Sequence, residues 1–143
     1  LSSFADDQGV RVRVEGASAC IAGSETLAEE MLYNLIENGI RYNHEGGLVT
    51  MKVGSECVEG GLANAAYQTV VRVSDTGPGI PAELHDKVFE RFFRVDKSRS
   101  KETGGTGLGL AIVKHAVMYH GGVIEVESAE GQGTTFVLRF PSA

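Results

Sequence analysis

The sequence predicts a two-layer α/β sandwich, in which helices cover one face of a mixed β-sheet. Two observations lead to this fold class: early and late segments alternate apolar and polar residues, as half-buried strands do, and longer segments between them have helical periodicity. The chain has 143 residues, of which 42% are hydrophobic, a size and composition that suit one domain with one core. No internal repeat or domain boundary is found in it.

The first strand and the first long helix are predicted near the start of the chain. Residues 10–14 read VRVRV, the pattern of a half-buried strand, and a short second strand is predicted for residues 19–22. Ser24 can cap a helix that runs to about Tyr42, with its apolar side chains on one broad face.

The rest of the chain is predicted to supply further strands and two more helical segments. The predicted strands are residues 48–53, 69–74, 123–128 and 134–140, and the predicted helical segments are residues 82–93 (one helix or a pair of helical turns) and 108–119. Residues 54–66 are interpreted as a variable turn. A turn over residues 130–133 joins the last two strands. Three helices are enough to cover one face of the sheet.

Two asparagines lie one turn apart on the margin of the apolar face of the first long helix. At 100° per residue, Asn38 falls inside the apolar arc, and Asn34 precedes it by one turn on the same side. Such amides are either hydrogen-bonded within a core or available to a ligand. Their oxygens could bind Mg²⁺, a hard cation that also holds phosphates. One turn later, Arg41 could reach a phosphate and Tyr42 could lie against a base.

An aspartate ends a buried apolar row in the strand at residues 69–74. Alternation places Asp75 on the same side as Val71 and Val73, so its carboxylate needs hydrogen-bond donors. An adenine supplies one through its exocyclic amine, whereas guanine carries an oxygen at that position. Gly77 and Gly79 would let the backbone approach a flat ligand closely. The alternative interpretation is an ordinary Asp-Thr-Gly-Pro-Gly turn.

A glycine-rich stretch, residues 104–110 (GGTGLGL), opens the last helix. Free backbone N–H groups and the helix dipole favour phosphate oxygens there, although such stretches also serve as hinges. The stretch lacks the Lys-Ser or Lys-Thr of a P-loop, and no strand leads directly into it as in a dinucleotide fingerprint. The charged loop before it, residues 96–105, is either a solvated linker or a lid that supplies positive charge to phosphates.

The order of these motifs resembles that of the ATPase superfamily of gyrase, heat-shock chaperones, histidine kinases and mismatch-repair proteins. The resemblance is closest to sensor histidine kinases and covers about residues 10–141. The matching segments are residues 34–42 (NLIENGIRY) for the asparagine box, 75–80 (DTGPGI) for the first glycine box, 89–94 (FERFFR) for the phenylalanine box, 105–110 (GTGLGL) for the second glycine box and 131–134 (GQGT) for the terminal one. Gly39 stands where alanine is usual, which should weaken its helix by about 0.5–1 kcal/mol.

The resemblance implies the Bergerat fold, a mixed five-stranded sheet against three helices, with ATP between two helices under a flexible lid. It implies that residues 1–143 form one catalytic domain, that Asn38 binds Mg²⁺ with Asn34 beside it, and that Asp75 reads adenine. The other ATP contacts that it implies are Arg41, Tyr42, Gly77, Gly79, Ile80, Arg94, Arg99, Gly105, Thr106, Gly107, Leu108, Gly109 and Thr134.

No histidine of this chain fits the role of phosphoryl acceptor. A histidine kinase transfers the γ-phosphoryl group to a histidine on a separate helical dimerisation domain. His44 and His85 are each followed by an acid, but they lie in predicted turns, while His115 and His120 lie on or after the last helix. The resemblance therefore implies a protein-histidine kinase domain without a catalytic residue of its own. Its implied partners are its dimerisation and phosphotransfer domain and a cognate response regulator.

Composition reduces the number of functional classes that remain possible for this chain. Lys and Arg number 13 against 19 Asp and Glu, and this net charge of −6 argues against a nucleic-acid partner. The apolar runs fall short of the ~20 residues that span a bilayer, so we expect this chain to be soluble. The resemblance implies that it is a cytoplasmic domain and that its full-length parent is a membrane-anchored homodimer. Two rivals stay open: a related ATPase or anti-sigma-type serine kinase, of which the hydrolytic version would need glutamate at the position of Asn34, and a nucleotide-binding regulatory module without transfer activity.

Overall fold

A computed structural model describes residues 5–7, 9–16, 25–58, 66–90, 109–128 and 131–141. Its sheet has five strands, which are β1 (Arg11–Gly16), β2 (Leu48–Val58), β3 (Ala66–Asp75), β4 (Val123–Ser128) and β5 (Thr134–Pro141). Its long helices are α1 (Glu25–Arg41) and α2 (Gly109–Tyr119), and two short 3-10 helices are Ala82–Leu84 and Lys87–Phe89. Residues 5–7 are also helical. Among the described residues, no helix is long and apolar enough to cross a membrane.

The sheet is mixed, with the strand order β1-β2-β3-β5-β4. The β1–β2 pair is parallel, and the other three pairs are antiparallel. The inner rows of the central strands pack with α1 and α2 around one core. Its largest fully buried side chains are Phe136, Phe140, Met31, Leu35, Ile40, Leu138, Val49, Val113 and Val117. Val70 of β3 and Val137 of β5 are also fully buried, but they lie on the other face of the sheet. The predicted two-layer sandwich is confirmed, and so is the five-stranded mixed sheet that the resemblance implied.

The predicted helical segment at residues 82–93 consists of two 3-10 helices as far as it is described. Val88 is buried, and Phe89 packs edge-to-face on Phe136 with ring centroids 6.1 Å apart. These short turns therefore pack against α2 and the sheet, and the described part of this segment forms no long third α-helix.

The predicted variable turn at residues 54–66 is wrong at both ends. β2 continues to Val58 and β3 begins at Ala66, and the ladder pairs Gly54 with Val70 and Val58 with Ala66. Antiparallel backbone hydrogen bonds stabilise these positions as strand, although glycine and polar residues there give little local preference for it.

The first strand is confirmed, but its predicted burial holds only for Val10, which belongs to the core. Val12 is 38% exposed and Val14 is 63% exposed, although both lie on the side of the sheet that carries the helices. β1 is one of the two edge strands, and α1 packs over β2 and β3 instead. The predicted strand at residues 19–22 and the predicted cap at Ser24 lie outside the described residues.

Candidate functional site

The carboxylate of Asp75 lies at the C-terminal end of β3, where it continues the buried row of Val71 and Val73. Its Oδ1 accepts a hydrogen bond of 2.9 Å from the backbone N–H of Gly77, and the backbone N–H of Thr134 also donates to the carboxylate. Burial raises the pKa of Asp75 from 3.8 to about 6, although both N–H groups act in the opposite direction. The site therefore holds an acid whose charged form is short of donors.

We expect this shift to appear in the pH dependence of folding. Below about pH 4 both the folded and the unfolded chain hold the proton on Asp75, whereas between about pH 4 and 6 only the folded chain does. The contribution of Asp75 to the free energy of unfolding therefore falls by about 3 kcal/mol as the pH rises through this window. Urea unfolding at pH 4 and pH 7.5 should show Asp75→Asn gaining about that much relative to the wild type. An equal difference between the two chains at both pH values would contradict the shift.

The turn after Asp75 has no room for side chains at its glycines. A Cβ atom at Gly77 would lie 3.0 Å from Asp75 Oδ1 and 3.1 Å from the backbone oxygen of Tyr42. Gly79 has a φ of +79°, a conformation that favours glycine. The structure thus brings Asp75, Gly77, Gly79 and the end of α1 together, as predicted.

The terminal glycine motif packs against the back of this turn. The backbone N–H of Gly131 donates to the carbonyl of Pro78 at 2.6 Å. A Cβ atom at Gly133, where φ is +79°, would lie 2.2 Å from the carbonyl oxygen of Asp75. With the backbone N–H of Thr134 on the Asp75 carboxylate, the motif supports the aspartate from behind.

The two predicted asparagines of α1 lie beside the start of α2 and the end of β3. Asn34 Nδ2 donates to the carbonyl of Glu30 at 2.8 Å, and its Oδ1 lies against the start of α2, 3.3 Å from where a Cβ atom of Gly109 would stand. Asn38 is half-buried, and within the described part of the chain no hydrogen bond to its amide is found. The next residue, Gly39, faces Asp75: its Cβ would lie 3.6 Å from that of Asp75.

Arg41 and Tyr42 end α1 next to this cluster. The Arg41 guanidinium donates to the carboxylate of Glu37 one turn earlier, with both side chains mostly buried. A phosphate would therefore compete with Glu37 for Arg41, and the phosphate contact stays a prediction. Tyr42 is half-buried, and its predicted contact with a base likewise stays a prediction.

Asn43 joins α1 to the Asp75 turn, a role that the sequence analysis missed. Its side chain is buried, and Nδ2 donates to the carbonyl of Leu48 at 3.2 Å. Its Oδ1 accepts from the backbone N–H of His44 at 2.9 Å and from the Thr76 hydroxyl at 3.2 Å. An asparagine directly after the helix end, just before the glycine pair at residues 46–47, was the available signal.

Ser128, at the C-terminal end of β4, is a second residue that the sequence analysis missed. Its hydroxyl accepts from the backbone N–H of Ile80 at 2.7 Å and lies 2.8 Å from the hydroxyl of Thr134. A polar residue that ends an apolar row, here Ile124 and Val126, was the same signal that identified the aspartate of β3.

His44 and His85, each of which precedes an acidic residue, form hydrogen bonds with backbone carbonyl oxygens in turns. His44 places Nε2 3.1 Å from the carbonyl oxygen of Thr76 and Nδ1 3.0 Å from that of Glu45. His85 places Nε2 3.0 Å from the carbonyl oxygen of Ile80. Neither lies on a helical hairpin in the described part of the chain, which agrees with the prediction that neither is a phosphoryl acceptor.

The other histidines lie on or after α2, as predicted. His115 is exposed, while His120 is buried against Phe140 with ring centroids 6.2 Å apart.

Of the remaining predicted site residues, Gly109 begins α2, and Ile80 packs against the core. The predicted residues that lie outside the described part of the chain are Arg94, Arg99, Gly105, Thr106, Gly107 and Leu108.

Residues 23–143 match the family model described as "Histidine kinase-, DNA gyrase B-, and HSP90-like ATPase". Over 139 residues the chain is 41% identical to the sensor-like histidine kinase SenX3 of Mycobacterium tuberculosis, covering 96% of this chain and 32% of that protein. Over 112 residues it is 45% identical to the sensor histidine kinase WalK of Bacillus subtilis, covering 78% of this chain and 17% of that protein. The chain thus spans about a third or less of these curated relatives.

Solved structures of histidine kinases share the fold. The mycobacterial sensor histidine kinase MprB superposes with a TM-score of 0.74 at 26% identity, covering 99% of this chain and 93% of that one. The catalytic domain of the histidine kinase ThkA gives a TM-score of 0.76 at 26% identity, covering 99% and 84%. Full-length ShkA in complex with AMPPNP gives 0.75 at 28% identity, covering 99% and 28%.

Proposed function

Because this chain belongs to the histidine kinase-, DNA gyrase B- and HSP90-like family of ATPases, we propose that it is the ATP-binding catalytic domain of a two-component sensor histidine kinase. In this proposal residues 1–143 form one domain that presents the γ-phosphoryl group of ATP to a histidine on a separate dimerisation and phosphotransfer domain. A cognate response regulator then receives the group. The full-length parent is a membrane-anchored homodimer with this domain in the cytoplasm, and the domain has no nucleic-acid partner.

The environment of Asp75 is the observation that carries the proposal. Its ionised carboxylate can accept about four hydrogen bonds, and the N–H groups of Gly77 and Thr134 supply two of them. The amine of an adenine would supply another donor to this buried group. A guanine would bring its oxygen against the carboxylate and leave two acceptors facing each other, so the site should favour adenine.

The side chains of α1 fit Mg²⁺ at the phosphate end of the nucleotide. Mg²⁺ takes oxygen ligands and usually shares them with phosphates and waters. Within the described residues, Asn38 has no hydrogen bond to its amide, and Asn34 uses Nδ2 for its bond to Glu30, which leaves Oδ1 available. We propose that Asn38 holds the ion with Asn34 beside it. Bound there, Mg²⁺ would neutralise charge on the phosphates.

The domain's own residues then act by binding and orientation. In the transfer the bond from the γ-phosphorus to the bridging oxygen of ADP breaks, and a bond from phosphorus to a nitrogen of the acceptor histidine forms. Such a reaction depends mostly on alignment and charge neutralisation, so this chain needs no nucleophile. We propose that Gly105, Thr106, Gly107, Leu108 and Gly109 hold the phosphates through the start of α2. Arg94 and Arg99 supply positive charge from a lid, and Arg41 adds a cation from α1.

Asn38→Ala is expected to weaken nucleotide binding only when Mg²⁺ is present. Losing one oxygen ligand to the ion should reduce the affinity for Mg·ADP about tenfold, and binding in EDTA should change little. Isothermal titration calorimetry with and without the ion measures both affinities. Asn38→Asp retains an oxygen ligand and serves as the matched control. Equal Mg²⁺ dependence in wild type and Asn38→Ala would reject the metal role.

Labelled ATP tests the proposed activity. The 143-residue chain incubated alone with γ-labelled ATP should take up no label. Adding the dimerisation and phosphotransfer domain of its parent should label that domain, and replacing the acceptor histidine there should abolish the label. Acid-stable label on a serine of another protein would favour the anti-sigma type of kinase. Nucleotide binding without any transfer would favour a regulatory module.

A further inference from the structure

The hydroxyl of Ser128 joins three parts of the site at once. Ser128 ends the inner row of β4, and its side chain is half-buried. Its Oγ lies 2.7 Å from the backbone nitrogen of Ile80, 2.8 Å from the carbonyl oxygen of Gly133 and 2.8 Å from the hydroxyl oxygen of Thr134. One small side chain thus links the far end of the Asp75 turn, the terminal glycine motif and the start of β5.

The chemistry of these partners fixes the direction of each hydrogen bond. A serine hydroxyl has one hydrogen to donate and two lone pairs that can accept. The Ile80 N–H can only donate, so it uses one lone pair, and the Gly133 carbonyl can only accept, so it takes the hydrogen. The Thr134 hydroxyl must therefore donate its own hydrogen to the second lone pair of Ser128. This leaves the Thr134 hydroxyl oxygen as an acceptor only.

Thr134 is the residue directly opposite Asp75 in the β3–β5 ladder, on the same face of the sheet. Its backbone N–H donates to the Asp75 carboxylate, and the preceding residue, Gly133, lies against the Asp75 carbonyl. Ser128 therefore acts on Asp75 through its neighbours. It holds the donor that orients the carboxylate, and it keeps the adjacent hydroxyl from presenting a hydrogen.

We propose that Ser128 is a positioning residue that sets the preference of the site for a 6-aminopurine over a 6-oxopurine. With Ser128 in place, Asp75 and Thr134 present only acceptors, which match an amine at position 6 and repel an oxygen there. Without it, the Thr134 hydroxyl can rotate and donate to a 6-oxo group, and the Asp75 turn loses its tie to the end of β4. This inference rests on the proposed role of Asp75 as the residue that contacts the purine and on the predicted contact of Thr134 beside it.

The test compares ADP with inosine diphosphate, which carries an oxygen in place of the 6-amino group. Calorimetric titration of the 143-residue chain should show that Ser128→Ala binds ADP about tenfold more weakly while its affinity for inosine diphosphate changes little. The ratio of the two affinities should therefore fall about tenfold, and Ser128→Thr, which keeps the hydroxyl, should restore most of it.

Ser74→Ala is the matched control. It removes a hydroxyl that pairs with Thr135 at 2.9 Å on the opposite face of the sheet, one residue before Asp75. The ratio of affinities should stay at its wild-type value in this variant. If Ser128→Ala does not fold, Ser128→Cys replaces it, because a thiol keeps the size of the side chain but is a weak donor and acceptor.

An unchanged ratio of the two affinities in Ser128→Ala or Ser128→Cys would overturn the inference. This includes an equal loss of both affinities that merely follows a lower thermal midpoint. Asp75→Asn separates this inference from the proposed function. If Asp75→Asn removes the preference for ADP and the Ser128 variants keep it, only the positioning role fails. If Asp75→Asn also keeps the preference, the purine-reading role of Asp75 fails and Ser128 has nothing to position.

Discussion

Asp75→Asn is expected to abolish measurable binding of adenine nucleotides while the chain stays folded. The N–H groups of Gly77 and Thr134 both need acceptors, so the amide oxygen would turn toward them and the amide NH₂ toward the adenine amine. Two donors would then face each other in a buried site. Loss of a charge-assisted hydrogen bond together with an unpaired amine should cost at least about 100-fold in affinity. Calorimetric titration with ADP at pH 7.5 measures it.

The same variant should be at least as stable as the wild type at that pH, because it removes a buried charge whose pKa is raised to about 6. A loss of binding together with an unchanged or higher urea midpoint would identify Asp75 as a ligand contact. Unaltered affinity for ADP would remove Asp75 from the adenine contacts. Lost binding with a collapsed urea midpoint would give it a structural role instead.

Gly133→Ala is expected to destabilise the fold and disrupt the site together. The new Cβ would stand 2.2 Å from the Asp75 carbonyl oxygen, and the residue would have to keep a φ of +79°. The left-handed conformation costs about 1–2 kcal/mol for a residue with a side chain. Displacing a backbone carbonyl adds about 1–3 kcal/mol. We expect a total loss of about 2–5 kcal/mol in the free energy of unfolding.

Gly131→Ala separates these two costs. Gly131 has a φ of +77°, but nothing lies within 4 Å of its added Cβ, so only the conformational cost applies there. Urea unfolding should show a loss of about 1–2 kcal/mol for Gly131→Ala and a clearly larger loss for Gly133→Ala. Gly131→Ala, the variant with the smaller expected loss of stability, should retain ADP binding. Equal losses in both variants would mean that the contact between Gly133 and Asp75 carries no energetic weight.

Local periodicity was enough to place the residues that we propose as the centre of the site. Strand alternation placed Asp75 with Val71 and Val73, and helical geometry placed Asn34 and Asn38 on one margin of α1, because each inference needs only a few neighbouring residues. The sequence also predicted the order of strands and helices well enough to identify the fold class.

Contacts between distant segments could not be predicted in this way. Ser128 and Ile80 are 48 residues apart, and they meet only because β5 lies between β3 and β4. Gly39 is a similar case, since helix propensity alone suggests that alanine would be better there. Its Cβ, however, would lie 3.1 Å from a Val49 methyl, so crowding would oppose that gain.

Alternation also says which residues share a face but not whether anything covers that face. The exposed Val12 and Val14 of β1 show this limit, because burial depends on how far α1 extends across the sheet. The exact ends of β2 and β3 were missed for a related reason. They are set by cross-strand pairing and not by the residues of either strand alone.

A crystal structure of this chain with Mg²⁺ and a non-hydrolysable ATP analogue tests the central claim most directly. We expect the adenine amine to lie about 2.7–3.2 Å from a carboxylate oxygen of Asp75. The ion should bind the amide oxygen of Asn38 at about 2.1 Å. A base bound elsewhere, or with its amine directed to another acceptor while Asp75 keeps only its bonds to Gly77 and Thr134, would contradict the account.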